Sequence, residues 1–249
     1  MRKGAVPSRG DGLDNLKSLA FVVLVFLVVR IFLFQPFTIP SASMEPLLRG
    51  GDYIIVTKFD YGFSRYSIPF SPPLFEGRLL AREPKRGDVI VFRVPTANNV
   101  DFIKRLIGLP GDKVQVKKGR LYLNDTLVPQ VDLGLTQNQA AAPRTVRRIR
   151  QTLPDGRAYD TFDSGHTMGD DTEPFLVPQG HYFFMGDNRD NSLDSRFTTD
   201  AGGVGLVPAE RLIGRARIVL ASWRPEASLF KPWTWFTDFV PSRVFKSLG

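Results

Sequence analysis

The stretch IPSASMEPLL, residues 39–48, sets Ser41 and Ser43 two positions apart, a few residues beyond a strongly apolar run. A serine hydroxyl becomes a nucleophile when a neighbouring group takes its proton. The chain has two histidines and no cysteine, so the usual base is scarce, and a thiol nucleophile, thiolate metal sites and a disulfide framework are excluded. His166 lies in a polar Gly/Asp stretch and His181 opens an aromatic strand. Neither has an H-x-x-x-H spacing or a carboxylate cluster beside it, so a histidine triad and a metal hydrolase both fit poorly. Ser43 taken alone also reads as a helix N-cap, because Met-Glu-Pro behind it would place an acid and a proline in a first turn.

The remaining candidate base is a lysine. In DFIKRLIGLPGDKV, alternation along a strand puts Phe102, Lys104 and Leu106 on one face and Ile103, Arg105 and Ile107 on the other. Lys104 then stands between two apolar neighbours, where burial disfavours the ammonium, and the adjacent Arg105 cation disfavours it further if its charge stays close. To act near neutrality the amine's pKa must fall by about 2 to 3, or about 3 to 4 kcal/mol of differential solvation, which full burial can supply. The same pattern also suits a strand-edge lysine whose amine reaches water.

A third stretch, MGDNRDNSLDSR at 185–196, is dense in Asp, Asn and Ser. It reads as a network of Asx-turns, or as a loop whose hydroxyl holds a neutral lysine amine while Asp194 and Arg196 pair to brace it. As a calcium loop it is poor, since Arg189 sits at a ligand position, Ser192 replaces the needed glycine and Thr198 the final Glu. Neither a metal nor a cofactor is expected.

These residues need elements to position them. LAFVVLVFLVVRIFLF, residues 19–34, is broken only by Arg30 and, with its margins, approaches the length of a membrane-crossing helix. Arg30 can snorkel toward headgroups, and Arg2, Lys3, Arg9 and Lys17 ahead of the run predict a cytoplasmic N-terminus. The rival is a cleaved secretory signal ending at the small residues Ser41 and Ser43, but the apolar run is longer than a usual h-region. Beyond it, GDYIIV, GDVIVF and GDKVQV each read as a Gly-Asp turn feeding a short strand. Further strands are expected at 101–107, 120–123, 145–152, 181–185 and 212–223, so the soluble part reads as mainly β.

The resulting division is a basic tail at 1–15, an anchor at 16–36, a β-rich domain at 37–224 with an insertion at about 124–180, and an aromatic, basic tail at 225–249. Residues 63–86 hold several prolines and read as a surface loop, which suits a place at the membrane face. In the insertion TVRRIRQT suggests one side of a β-ribbon, its arginines a solvated strand face rather than a binding patch. The C-terminal tail suits either a bilayer interface or an aromatic cluster packed on the β-domain. The formal charge of +8 and pI near 9.9 suit an anionic partner. No nucleic-acid-binding signature accompanies that charge, and the basic flank of the apolar run favours phospholipid.

In order, IPSASMEPLL, KRGDVIVF, DFIKRLIGLPGDKV and MGDNRDNSLDSR resemble the motifs of the bacterial type I signal peptidases, membrane-bound Ser-Lys endopeptidases that remove signal peptides from exported preproteins. The resemblance spans residues 39–196 together with the anchor. It implies a signal-peptidase and repressor-peptidase type of β-fold at the outer face of the bacterial cytoplasmic membrane, acting on preprotein signal peptides, with a monomer expected. It also implies that Ser43 is the nucleophile, Lys104 the general base, and the Ser41 hydroxyl an oxyanion donor beside the Ser43 N–H. Ser192 is implied as hydrogen-bond partner of the Lys104 amine, with Asp194 and Arg196 as supports and Phe102 and Arg105 flanking the base. Only one anchor is evident where some members have two. A self-cleaving repressor-type Ser-Lys peptidase and a non-catalytic membrane-anchored β-module are the alternatives. The anchor reading predicts that Edman sequencing of the membrane-bound protein finds the N-terminal segment intact; a chain starting near Met44 overturns it.

Overall fold

The computed structural model describes residues 9–94, 100–138, 144–224, 227, 231 and 233–248. The chain opens with helix α1 (Arg9–Phe32) and continues through β1 (Phe34–Thr38), β2 (Asp52–Thr57), β3 (Val89–Arg93), β4 (Asp101–Gly108), β5 (Lys113–Lys117), β6 (Arg120–Leu123) and β7 (Thr126–Leu127). There follow β8 (Gln130–Gln137), β9 (Thr145–Thr152), β10 (Ala158–Asp163), β11 (Phe175–Leu176), β12 (His181–Met185), β13 (Val207–Pro208) and β14 (Leu212–Ser222). A single helical turn, α2 (Thr234–Thr237), and β15 (Lys246–Ser247) end it. The protein is mainly β with an N-terminal helix, as its alternating patterns require.

Between Asp14 and Phe32, α1 is long and apolar enough to cross a bilayer, and none of that span is buried against the rest of the chain. The expected anchor, 16–36, runs past the helix end. Pro36 cannot continue a helix and disfavours the α conformation at Gln35, so the last apolar residues become β1 instead. β1 pairs antiparallel with β2, Phe34 opposite Thr57, which seats the helix exit on the sheet. The insertion holds more strand than TVRRIRQT alone suggests: β10, β9 and β8 form a three-stranded sheet, and β11 pairs with β5.

The principal sheet runs β1-β2-β14-β3-β4-β12-β13, with β15 also on β14. Register shifts along β14, between Leu212 and Gly214, Ala216 and Ile218, and Val219 and Ala221, curl it. Inside the curl, Ile39, Met44, Leu48, Ile54, Val56, Ile213 and Val219 form one apolar cluster. Ser43 is thus bracketed by Ile39 and Met44, whose side chains the core fixes.

The three Gly-Asp turns share one construction. Gly51, Gly87 and Gly111 have φ of 89°, 88° and 90°, values that glycine adopts without strain. The following carboxylate then accepts the amide three residues back: Arg49 N to Asp52 at 3.0 Å, Lys85 N to Asp88 at 3.0 Å and Leu109 N to Asp112 at 2.6 Å. Each aspartate also takes an arginine from elsewhere in the chain, Arg243, Arg215 and Arg86 respectively. Sequence-local turns are thereby tied into the tertiary structure.

Met44 has no exposed surface. Truncation to Ala leaves a cavity directly behind the Ser43 turn, and Met44→Ala is expected to cost about 2 to 5 kcal/mol in urea-unfolding stability.

Candidate active site

Ser43 lies in the connection between β1 and β2. No helix follows it: the chain makes successive turns, with Leu48 N donating to the Met44 carbonyl at 2.9 Å, so Ser43 caps nothing. Its turn is held from across the fold. Asn188 N donates to the Ser43 carbonyl and Asn188 Nδ2 to the Ala42 carbonyl, each at 3.1 Å.

β4 delivers Lys104 to this turn. The side chain is 3% exposed, and its Nζ lies 2.5 Å from Ser43 Oγ and 5.9 Å from the centre of the Phe102 ring. Burial lowers the amine's pKa to about 8; the carboxylates of Asp194 and Asp187 pull it back up, and the Arg196 cation pushes it down. Ser41 Oγ is 3.3 Å from Ser43 Oγ, so two hydroxyls and one amine meet at a single point.

Arg105 does not act on the amine as its sequence position suggests. Alternation sends it to the opposite face of β4, where Asp187 grips it at 2.7 Å through both Nε and Nη2 and Gly87 accepts from Nη1 at 2.9 Å. With its charge matched there, the cation felt by Lys104 is Arg196 instead.

The loop after β12 supplies the rest of the setting. Asp194 takes Arg196 Nε at 2.9 Å and Nη2 at 3.0 Å, and also receives Gly186 N at 2.9 Å. These donors hold its carboxyl below the usual range despite burial. Ser192 lines the same cleft, but among the described residues its buried Oγ makes no hydrogen bond of normal geometry, to Lys104 or otherwise. It is close enough to Asp194 to favour the ionised carboxylate. His166 and His181 do not line the cleft; His166 Nδ1 is 3.7 Å from Asp170 and His181 Nδ1 is 3.2 Å from the Gln179 carbonyl.

A second buried lysine sharpens the distinction. Lys58 is 1% exposed, and burial also lowers its pKa to about 8, but its Nζ donates to the Ser67 carbonyl. It does not line the cleft. A depressed pKa is therefore not enough: Lys58 is spent on a carbonyl, whereas Lys104 has the Ser43 hydroxyl within reach.

The cleft has a volume of about 730 Å³ and is lined by Ser41, Ser43, Phe102, Lys104, Ser192 and Leu193, among others. At its edge β12 pairs β4 only from Arg105 onward, so Asp101–Lys104 are laddered to β3 on one side, with the other side facing the cleft. The insertion takes part: Thr167 and Met168 line the cleft, Phe162 N donates to the Asp187 carbonyl at 2.9 Å, and Arg189 Nη2 reaches Gln151 at 2.5 Å.

Asp187, Asn188 and Gly186 were not singled out from the sequence, although all three lie inside MGDNRDNSLDSR. Their partners, Arg105, the Ser43 turn and the Ser192 side chain, are distant or invisible in a one-dimensional pattern. At Gly186 a Cβ would stand 2.2 Å from Ser192 Oγ and 2.6 Å from the Ser43 carbonyl oxygen. Gly186→Ala is therefore expected to keep the β-sheet circular dichroism while losing at least about tenfold in peptide cleavage, because an ångström of displacement at a reacting pair is costly.

Residues 13–223 match the family described as signal peptidase, peptidase S26. The signal peptidase I of Rickettsia typhi is 39% identical over 255 residues, covering 94% of this chain and 93% of that protein. That of Rickettsia akari is 41% identical over 251 residues, covering 93% and 91%. A crystal structure of a signal peptidase I from Enterococcus faecalis V583 is 26% identical, covers 54% of this chain and 97% of its own, and superposes with a TM-score of 0.32. The chain belongs to the signal peptidase family, peptidase S26, and is a serine endopeptidase of that family.

Proposed function

We propose that the protein removes signal peptides from exported preproteins by a Ser-Lys mechanism at the outer surface of the membrane that α1 crosses. One observation carries the chemistry: the Lys104 amine, desolvated and 2.5 Å from Ser43 Oγ. In the neutral form its lone pair accepts the Ser43 proton as Oγ bonds to the scissile carbonyl carbon. The carbonyl oxygen becomes an oxyanion, which the Ser41 hydroxyl and the Ser43 backbone N–H stabilise by donating to it. The Lys104 ammonium then protonates the leaving amine as the C–N bond breaks, leaving an ester on Ser43. Neutral again, Lys104 takes a proton from water, the hydroxide attacks the ester, and Ser43 leaves with that proton restored.

Ser192, Asp194 and Arg196 are positioning residues in this scheme. The Asp194–Arg196 pair fixes the loop against which Lys104 is buried, and Ser192 Oγ lies in the cleft wall. Phe102 supplies apolar cover. Arg105 fixes Asp187 and so the start of the loop that carries Asn188.

An extended substrate suits the unladdered side of Asp101–Lys104, where main-chain hydrogen bonds add a strand and side chains alternate into the cleft. Membrane placement is supported by the aromatic surroundings of the helix exit. Phe32 meets Phe63 with ring centres 5.4 Å apart, Phe34 meets Phe59 at 6.2 Å, and Phe70, Leu74 and Leu80 are exposed on the loop that follows. The basic residues ahead of α1 support a cytoplasmic N-terminus and a single pass. In the C-terminal segment Trp223 packs between Tyr53 and Phe239, at 5.2 and 5.4 Å, while Trp233 and Phe236 are exposed. Part of that tail is thus a packed cluster and part is free to meet the interface.

With a detergent-solubilised preprotein assay, Ser43→Ala and Lys104→Arg are expected to abolish cleavage, since a guanidinium does not deprotonate. Ser41→Ala should remain folded and lose about 10²-fold in kcat. Because Lys104 must be neutral, kcat/KM is expected to rise with pH along a limb centred near 8 and to level off above it. An active Lys104→Arg variant, or a limb centred near 10.5, the unshifted value, rules out Lys104 as the base.

A further inference from the structure

On the face of β4 opposite Lys104, Arg105 opens into a second cavity, of about 620 Å³. Its other walls come from β9 and β10, the turn between them, and β15. Five cationic side chains line it, Arg105, Arg148, Arg150, Arg157 and Lys246, against one carboxylate, Asp160.

Most of these cations have partners, and how they are partnered shows what is left over. Arg105 is consumed by Asp187, and Arg157 by Asp155 at 2.8 Å and Asp88 at 3.2 Å. Arg148 and Arg150 share Asp160, each bringing Nε to 2.7 Å and adding Nη2. That single charge cannot neutralise both, and among the described residues neither Nη1 has an acceptor. Lys246 contributes the third unmatched donor. Its Nζ reaches only the Leu47 carbonyl, at 3.3 Å, and among the described residues no carboxylate pairs with it. Burial lowers its pKa and the Arg243 cation lowers it further; the Asp52 carboxylate opposes this and Arg148 adds to it. The fold thus converges one excess guanidinium charge and one ammonium on a cavity, with donors from two sides.

We propose that this cavity binds a phosphate group, its oxygens accepting from Arg148 and Arg150 Nη1 on one side and from Lys246 Nζ on the other. A tetrahedral dianion offers several strong acceptors in different directions and matches both the surplus charge and the separated donors, whereas a planar carboxylate brings one charge and two oxygens. The phosphate can be free or the terminal monoester of a lipid headgroup, which keeps the second charge and the third free oxygen. Arg148 and Arg150 of β9 read in one dimension as a solvated strand face and are 44% and 51% exposed, so the ligand enters from solvent.

The test is isothermal titration calorimetry on the full-length protein in a non-ionic detergent, at ionic strength held constant with chloride. The probes are inorganic phosphate and, separately, monomeric dihexanoyl phosphatidic acid. Saturable binding of one phosphate per chain supports the site, as does saturable binding of the soluble lipid, and the probe bound identifies the source. In either case the Arg148→Gln/Arg150→Gln double variant and Lys246→Gln should each weaken binding by about tenfold or more. Both variants should cleave a preprotein at the wild-type rate, which also reports that they fold. Binding of neither probe, or binding unchanged in Lys246→Gln, overturns the proposal.

Discussion

A lysine amine kept out of water beside a serine hydroxyl is the interaction on which the rest of this structure depends. Removing the amine from solvent makes its charged form unfavourable, and contact with Ser43 Oγ gives the neutral form a proton to accept. Neither half suffices alone. Lys58 is also closed off from solvent and its pKa also falls to about 8, yet it is spent on a carbonyl. Ser43 without Lys104 would be one hydroxyl in a turn. The electrostatic surroundings are a compromise, because Asp194 and Asp187 favour the ammonium while Arg196 and burial oppose it. Matching each of those carboxylates to its own arginine limits their hold on the amine.

Holding the pair together requires that two segments 61 residues apart share one position. The core does this on the serine side by burying Ile39, Met44 and Leu48 around the turn. The sheet does it on the lysine side, since β4 is laddered to β3 from Asp101 to Arg105 and to β12 from Arg105 onward. Asn188 closes the remaining gap by donating to two carbonyls of the serine turn. Buried ion pairs such as Arg105–Asp187, Arg196–Asp194 and Arg243–Asp52 fix orientation more than they add stability, because desolvating two charges offsets most of their attraction. Each is bidentate or receives further main-chain hydrogen bonds, the condition under which such pairs are tolerated in an interior.

The insertion is part of this framework. Through Gln151, Tyr159 and Phe162 it contacts Arg189 and Asp187 in the loop behind the cleft, and through Thr167 and Met168 it forms cleft wall. A segment in such a position shapes the cleft without touching Ser43 or Lys104.

The sequence by itself determined the local facts: an apolar segment of spanning length, a mainly β domain, and three Gly-Asp turns whose glycines and carboxylates are written next to each other. It also put the serine pair, the lysine between apolar neighbours and the Asp/Asn-rich loop on view, because residue type and period-two alternation are one-dimensional properties. It overran the helix end, where Pro36 turns the last apolar residues into a strand. Only the tertiary structure decided that the Lys104 amine touches Ser43 Oγ, which arginine the amine feels, that Asp187 takes Arg105, and that Asn188 holds the turn. These depend on which strands become neighbours and which face each side chain takes, and burial, the cause of the lowered pKa, arises only when distant segments close over the same atom.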